Sequence, residues 1–201
     1  MSGPSFQLVL DWHSWSDAVD HLERLLPQPD VDFLSEAYRF AVACHGEQRR
    51  PNGDPYVRHL LDVVEILGRA GVRDRSILAA GLLHDVAEDT SCTLMDIRGR
   101  FGDAVEAIVS WVTLPLPEGE EGKAGARARY SARLEHAPPE AILVKLADRL
   151  SNVRDIGNYS TLQKRQAYYR ETVARVLPLS GRYPWFAKEF AAWRDAFEDL
   201  A

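Results

Sequence analysis

Residues 79–90 read AAGLLHDVAEDT, an apolar run closed by His84, Asp85, Glu88 and Asp89. Its spacing predicts a helix over residues 75–89, with Asp74 as the N-cap. The upstream ILAAGLL is apolar nearly all round, so the helix is expected to be central and buried. Gly81 costs about 1 kcal/mol there relative to Ala, which points to close approach by another element. On such a helix His84 lies over Glu88 and Asp85 over Asp89. His84 and Asp85 are about 100° apart and converge only at the helix edge. Burying imidazole and carboxylate without partners is costly. Three carboxylates at a helix C-terminus also oppose the macrodipole. A bound divalent cation resolves both conflicts. The competing reading, a core histidine on a carbonyl beside solvated acids, leaves the second unresolved.

The rest of the chain reads as helix. DFLSEAYRFAVACHG places Phe33, Ala37, Phe40, Ala41 and Cys44 on one stripe and stops at Gly46. EQRRPNGDPY is a polar turn-rich loop, and VRHLLDVVEILGRAG a helix ending at Gly71. Thr93 with Asp96 resembles a capping box for a short helix up to Gly102, and DAVEAIVSWV continues as another. Residues 115–126, rich in Pro, Gly and Glu, are read as a mobile loop. Pro138 and Pro139 open the helix carrying ILVKLADRLSNVRD. Thr161–Leu177 and Pro184–Leu200 give two final helices. No period-two strand, internal repeat or interdomain linker is evident, so the fold class is all-α. Residues 1–30 are expected to form an extension packing on the core through Trp12, Trp15 and Leu22, and residues 31–201 the main domain.

At 201 residues the chain suits one domain with a small appendage. A net charge of −6 argues against a nucleic-acid polymer as partner, since phosphate tracking wants a basic surface. It leaves room for a small phosphorylated ligand held by a local basic cluster. No apolar run is long enough to cross a membrane, and the N-terminus lacks a secretory pattern. Cys44 and Cys92 lack metal-type spacing, so the expectation is two reduced thiols in a cytoplasmic protein.

Two further stretches bear on the cation. His45 ends the first long helix, where a histidine also serves as an ordinary C-cap. In ILVKLADRLSNVRD the stripe is Leu143, Leu146, Leu150 and Val153, with Asp148 and Asn152 together off it. The bland reading of Asp148 is a surface pair with Lys145, worth little.

Taken in order, HGEQRRPNGDPYVRH (45–59), LLHDVAEDT (82–90) and VKLADRLSNVRD (144–155) resemble the successive motifs of the HD-domain hydrolases. They are most similar to the hydrolase domain of the RelA/SpoT homologues and its small single-domain relatives. The likeness covers roughly residues 33–177 as a pattern. It implies an HD-domain helical bundle and a metal-dependent (p)ppGpp 3′-pyrophosphohydrolase, releasing pyrophosphate and GDP or GTP. It implies His45, His84, Asp85 and Asp148 as metal ligands, Glu88 and Asp89 as the acidic pair that serves the water, and Arg49, Arg50, Asn152 and Tyr168 as substrate contacts. Tyr169 is an alternative to Tyr168, and His59 is read as packing behind the site. A mixed N/O donor set suits Mn²⁺, Fe²⁺ or Zn²⁺, of which Mn²⁺ is the expectation, and such an ion acidifies water and polarises a phosphoryl oxygen.

The chain departs from the family in two places. Ser35-Glu36 stand where a basic residue often precedes Ala-Tyr, which leaves guanine selection open, and Ser151 replaces a frequent histidine. The alternatives are a phosphohydrolase for another nucleotide and a non-catalytic nucleotide-binding module. His13, His21, His136, Trp111, Trp185 and Trp193 are assigned no role in the site.

Overall fold

The computed structural model describes residues 6–50, 52–119, 122–154, 156–158 and 161–201. Helix α1 spans Trp15–Leu22, α2 Gln28–His45, α3 Val57–Arg69 and α4 Arg75–Leu83. The single turn α5 spans Val86–Asp89, followed by α6 Leu94–Phe101 and α7 Asp103–Val112. Then come α8 Gly122–Leu134, α9 Pro139–Val153, α10 Leu162–Glu171 and α11 Pro184–Ala196. Among the described residues there is no strand, only an isolated bridge between Arg49 and Pro55. The fold is all-α, as the hydrophobic pattern predicts.

Helix α4 is the hub. Every residue from Ile77 to Leu83 is buried, and the helix packs against α2, α3, α7 and α9. Asp74 caps it by accepting from the amides of Ser76 and Ile77. The expected close approach is made by α3: a Cβ built on Gly81 lies 2.8 Å from Leu67 Cδ1 and 3.4 Å from Val63 Cγ1. Leu67 is wholly buried and has little room to yield. Gly81→Ala should therefore lower stability by about 1 kcal/mol in urea denaturation. Overpacking costs about 1–3 kcal/mol, against about 1 kcal/mol gained in helix propensity.

The N-terminal segment is pinned to α3. Buried Glu65 accepts the amides of Asp11 and Trp12 at 2.9 and 2.8 Å, and Arg69 ties Glu65 to Asp11. Trp12 and Leu22 are buried in the common core, and Trp15 stacks on Tyr38 at 4.6 Å.

The structure corrects several expectations. The helix predicted over 75–89 breaks: α4 ends at Leu83, His84 and Asp85 form a turn, and α5 restarts at Val86. The two side chains thereby converge without the constraint of one continuous helix. Residues 122–126 belong to α8 rather than to a loop, and Arg129 holds Glu118 and the Leu116 carbonyl before it; residues 120–121 lie outside the described residues. The predicted helix 161–177 stops at Glu171. The backbone then widens into a π turn over Thr172–Val176 and tightens to 3₁₀ over Leu177–Arg182, with Thr172 Oγ1 donating to the Tyr168 carbonyl. The last predicted helix, 184–200, likewise ends at Ala196, with a 3₁₀ turn over Glu198–Leu200.

Cys44 and Cys92 are not free thiols. They form a disulfide with a Cα–Cα separation of 6.1 Å. Their separation of 48 residues gives no local sign of this. It arises because α2 packs against α4 and α5, bringing its last turn beside the chain that follows α5.

Candidate metal centre and substrate cleft

Two helices and a turn deliver the polar cluster: α3 carries His59, the α4–α5 turn carries His84 and Asp85, and α9 carries Asp148. His59, His84 and Asp148 are buried, and each offers a ligand atom within 4.8 Å of the others. His59 Nε2 lies 3.2 Å from His84 Nε2, 3.6 Å from Asp85 Oδ2 and 3.4 Å from Asp148 Oδ1. His84 Nε2 lies 2.9 Å from Asp85 Oδ2 and 3.7 Å from Asp148 Oδ1.

The proton arrangement tests whether this cluster fits a cation. His84 Nδ1 is 2.9 Å from the Gly81 carbonyl. A carbonyl only accepts, so this nitrogen carries the proton and Nε2 of the neutral ring presents a lone pair. His59 Nδ1 is 2.9 Å from Ser151 Oγ, whose hydroxyl donates to Asp62 Oδ2 at 3.4 Å. That hydroxyl must then accept from His59, which leaves a second lone pair on His59 Nε2. With both rings neutral, two imidazole lone pairs would face each other among carboxylate oxygens. Burial opposes charging His84, but Asp85 and Asp148 overcome it and push its pKa up to about 10. The cluster calls for positive charge, and its N/O donors suit a divalent transition metal.

His45, expected as a ligand, is not among these converging side chains. Its ring stacks on Tyr56 at 4.5 Å and its Nδ1 meets Gln48 Oε1 at 2.8 Å. Its Nε2 is buried without a partner among the described residues. His59, read as packing, occupies the place expected of His45. Its place at the C-terminal end of α2 sets the His45 ring against Tyr56. His59, one turn into α3, faces α9.

Tyr56 links the acids. Its hydroxyl lies 2.6 Å from Asp85 Oδ2 and 2.7 Å from Asp89 Oδ2. Desolvation and the two carboxylates hold the phenol far above its ordinary range, so it stays a donor. Glu88 accepts the Leu114 amide at 2.8 Å. Burial raises its pKa above the usual carboxylate value, partly offset by that amide.

A cleft of about 1130 Å³ opens over this cluster. Arg50, Asn152, Glu88, Asp89 and Tyr168 line it, together with Lys145, Arg149, Arg127, Lys164, Arg170 and Arg175. Arg50 donates to Asn152 Oδ1 at 2.6 Å, joining the loop after α2 to α9. Arg49 does not reach the cleft and instead donates to Gly53 O at 2.8 Å within its own loop. Tyr168 faces the cleft under the Arg149 guanidinium, 4.4 Å from ring centroid to carbon. Tyr169 is core, packed on Trp193. Ser35 and Glu36 are not part of the cleft: Ser35 accepts from Trp15 Nε1 and Glu36 pairs with exposed Arg39.

Lys145 is no surface residue. It is largely buried, holds Asp148 Oδ2 at 2.8 Å, and lies near the Tyr130 ring. Asp148 is kept ionised, because Lys145 and the histidines outweigh the burial that would raise it. The Lys-Leu-Ala-Asp motif contained Lys145, but only packing gives it a role. Tyr56 and the basic residues of α8 and α10 were also missed. Their spacing marks them as loop or surface, and their shared cleft is made by tertiary structure.

The chain matches the HD-domain family over residues 37–184. It is 40% identical over 152 residues to a GTP pyrophosphokinase of Streptomyces coelicolor, covering 74% of this chain and 18% of that protein. It is 36% identical over 166 residues to a guanosine-3′,5′-bis(diphosphate) 3′-pyrophosphohydrolase of Aquifex aeolicus, covering 81% and 23%. The chain thus spans about a fifth of the length of these curated relatives. It also superposes, with a TM-score of 0.75 and 29% identity, on the structure of a metazoan orthologue of SpoT described as hydrolysing ppGpp, covering 84% of this chain and 97% of that one. With the family matched across most of the chain and the His-Asp turn at the centre of its bundle, the protein belongs to the HD-domain family.

Proposed function

We propose that this chain is a metal-dependent pyrophosphohydrolase that removes the 3′-diphosphate of guanosine 3′,5′-bis(diphosphate) and its triphosphate counterpart. The products are pyrophosphate and GDP or GTP. The observation that carries the reading is the pair of facing Nε2 atoms, 3.2 Å apart among carboxylates, at the floor of a cleft rimmed with basic side chains. His59, His84, Asp85 and Asp148 would hold the ion, with Mn²⁺ the first candidate and Fe²⁺ or Zn²⁺ compatible with the same donors. An ion there supplies Lewis acidity to a phosphoryl oxygen and makes water more acidic.

The chain's own residues supply the rest. Water adds to the phosphorus attached to the 3′ oxygen, the P–O3′ bond breaks, and the 3′ oxygen leaves with a proton. Glu88, partly desolvated and lining the cleft, is suited to take the proton of the incoming water. Tyr56 holds Asp89 and Asp85 in place through one hydroxyl. Arg50, Lys145 and Arg149 offset phosphate charge near the floor, and Asn152 and Tyr168 contact the nucleotide. A small nucleotide, rather than a nucleic-acid polymer, suits an acidic chain with seven basic side chains lining one cleft.

The relatives' names bear on the reaction. The Aquifex protein is named for hydrolysis and the Streptomyces protein for pyrophosphoryl transfer to GTP. The metazoan protein, which this chain covers almost end to end, is described as a ppGpp hydrolase. Hydrolysis is preferred because acids able to serve water face the cleft. Among the described residues no helix is long and apolar enough to cross a membrane. We read the protein as cytoplasmic, a compartment in which a bond such as Cys44–Cys92 is uncommon.

The test is kcat/KM with Mn²⁺ for ppGpp, pppGpp, 3′-phosphorylated adenosine nucleotides and ordinary dNTPs, with products identified. Pyrophosphate release and a preference for the first two are expected. Preference for dNTPs, or inorganic phosphate from ppGpp, would favour a phosphohydrolase of another nucleotide. No turnover of any of them would favour a binding module.

A further inference from the structure

We propose that Ser151 and Asp62 are positioning residues that lock the His59 ring with its proton on Nδ1, so that Nε2 is offered to the ion. This rests on the reading that His59 is a ligand and goes beyond it. The residues form a buried line: His59 Nδ1 to Ser151 Oγ at 2.9 Å, Ser151 Oγ to Asp62 Oδ2 at 3.4 Å, and Asp62 Oδ2 to Arg154 at 3.1 Å. His59, Ser151 and Asp62 are each below a tenth exposed. Both are polar side chains buried on their helices: Asp62 sits in HLLDVVEIL of α3, one turn on from His59, and Ser151 in ADRLSNV of α9, one turn on from Asp148.

The direction of the line follows from donor counting. A hydroxyl has one proton. Asp62, paired with Arg154, is an acceptor, so Ser151 gives that proton to it and accepts from His59. A histidine ligand whose second nitrogen donates in this way is fixed in tautomer and ring orientation, and its basicity rises. His84 obtains the same result from the Gly81 carbonyl. Among the described residues His59 Nδ1 meets Ser151 rather than a backbone acceptor, and the Ser151–Asp62 pair serves instead.

The experiment is a calorimetric Mn²⁺ titration of the metal-free protein, with ¹⁵N spectra of the histidine rings. Ser151→Ala should bind Mn²⁺ about 10–100-fold more weakly, the usual effect of removing such a partner. Ala suits a helix interior, so α9 persists in this variant. Asp62→Asn keeps the shape, loses the charge, and should weaken binding in the same sense. Ser151→Thr keeps the hydroxyl and should restore the affinity lost in Ser151→Ala. The metal-free wild-type spectrum should show His59 protonated on Nδ1, and Ser151→Ala a mixture of tautomers. Unchanged affinity in Ser151→Ala would overturn the proposal. So would Thr behaving as Ala does, or a wild-type ring protonated on Nε2. His59→Ala separates the two levels: if it keeps the ion, the ligand reading itself fails; if it loses the ion while Ser151→Ala does not, only the positioning role fails.

Discussion

Glu88→Gln should retain the ion and lower kcat by about 10²–10⁴-fold, the usual contribution of a positioned acid–base group. Glu88 is outside the converging ligand cluster. Its neighbour Asp89 is engaged by the Tyr56 hydroxyl at 2.7 Å. Glu88 is tethered by the Leu114 amide, and it lines the cleft. Desolvation raises its pKa above that of an ordinary carboxylate, which improves it as a proton acceptor near neutral pH. Gln keeps an oxygen for the Leu114 amide, so the 113–119 segment remains tied down. The variant therefore removes the proton function and little else. Elemental analysis alongside steady-state kinetics decides the matter. Loss of metal together with activity would make Glu88 a ligand, and unchanged kcat would move the proton transfer to another group.

The helices were legible because their signals are local. The Asp74 cap, the Thr93–Asp96 box and the Pro138–Pro139 start all act within one turn, and each appears where its residues predict. Gly81 was legible for the same reason, a local penalty that asks for a tertiary explanation, and Leu67 supplies it. The break after Leu83 was not. HDVAED continues the helical pattern without Gly or Pro, so nothing in its sequence marks the turn at His84 and Asp85. The disulfide was illegible because its two ends meet through α2–α5 packing.

The site divides along the same line. Of the residues the motifs offered, His84, Asp85 and Asp148 stand in the cluster, and Asn152, Arg50 and Tyr168 line the cleft. Arg49 and Arg50 are adjacent in sequence, and the Arg49–Pro55 bridge sends only one of them into the cleft. Two histidines flank the loop at 46–58, and spacing cannot choose between them. A usable signal was present: Asp62 and Ser151 are polar side chains buried on their helices, and buried polar groups need partners. Tracing what those two serve leads to His59.

That choice gives the second large effect. His59→Ala should leave the protein without its ion and without activity, while His45→Ala should keep the ion. His59 Nε2 stands within 3.2–3.6 Å of His84, Asp85 and Asp148 atoms, so its removal takes away one of the two nitrogen donors and leaves Ser151 and Asp62 without their ring partner. His45 instead supports Tyr56 from behind. Burial lowers its pKa, so its ring is neutral at pH 7 and adds no charge to the cluster. Such a stacked pair contributes about 0.5–1.5 kcal/mol, and its loss should cost about that much in urea denaturation. Tyr56 would then hold Asp85 and Asp89 less firmly, so His45→Ala should reduce kcat with the ion still in place. Metal content measured on both purified variants separates the assignments. If His45→Ala is metal-free and His59→Ala fully loaded, the ligand set is the one the helix-end histidine suggests, and the cluster around His59 is a buried polar network without an ion.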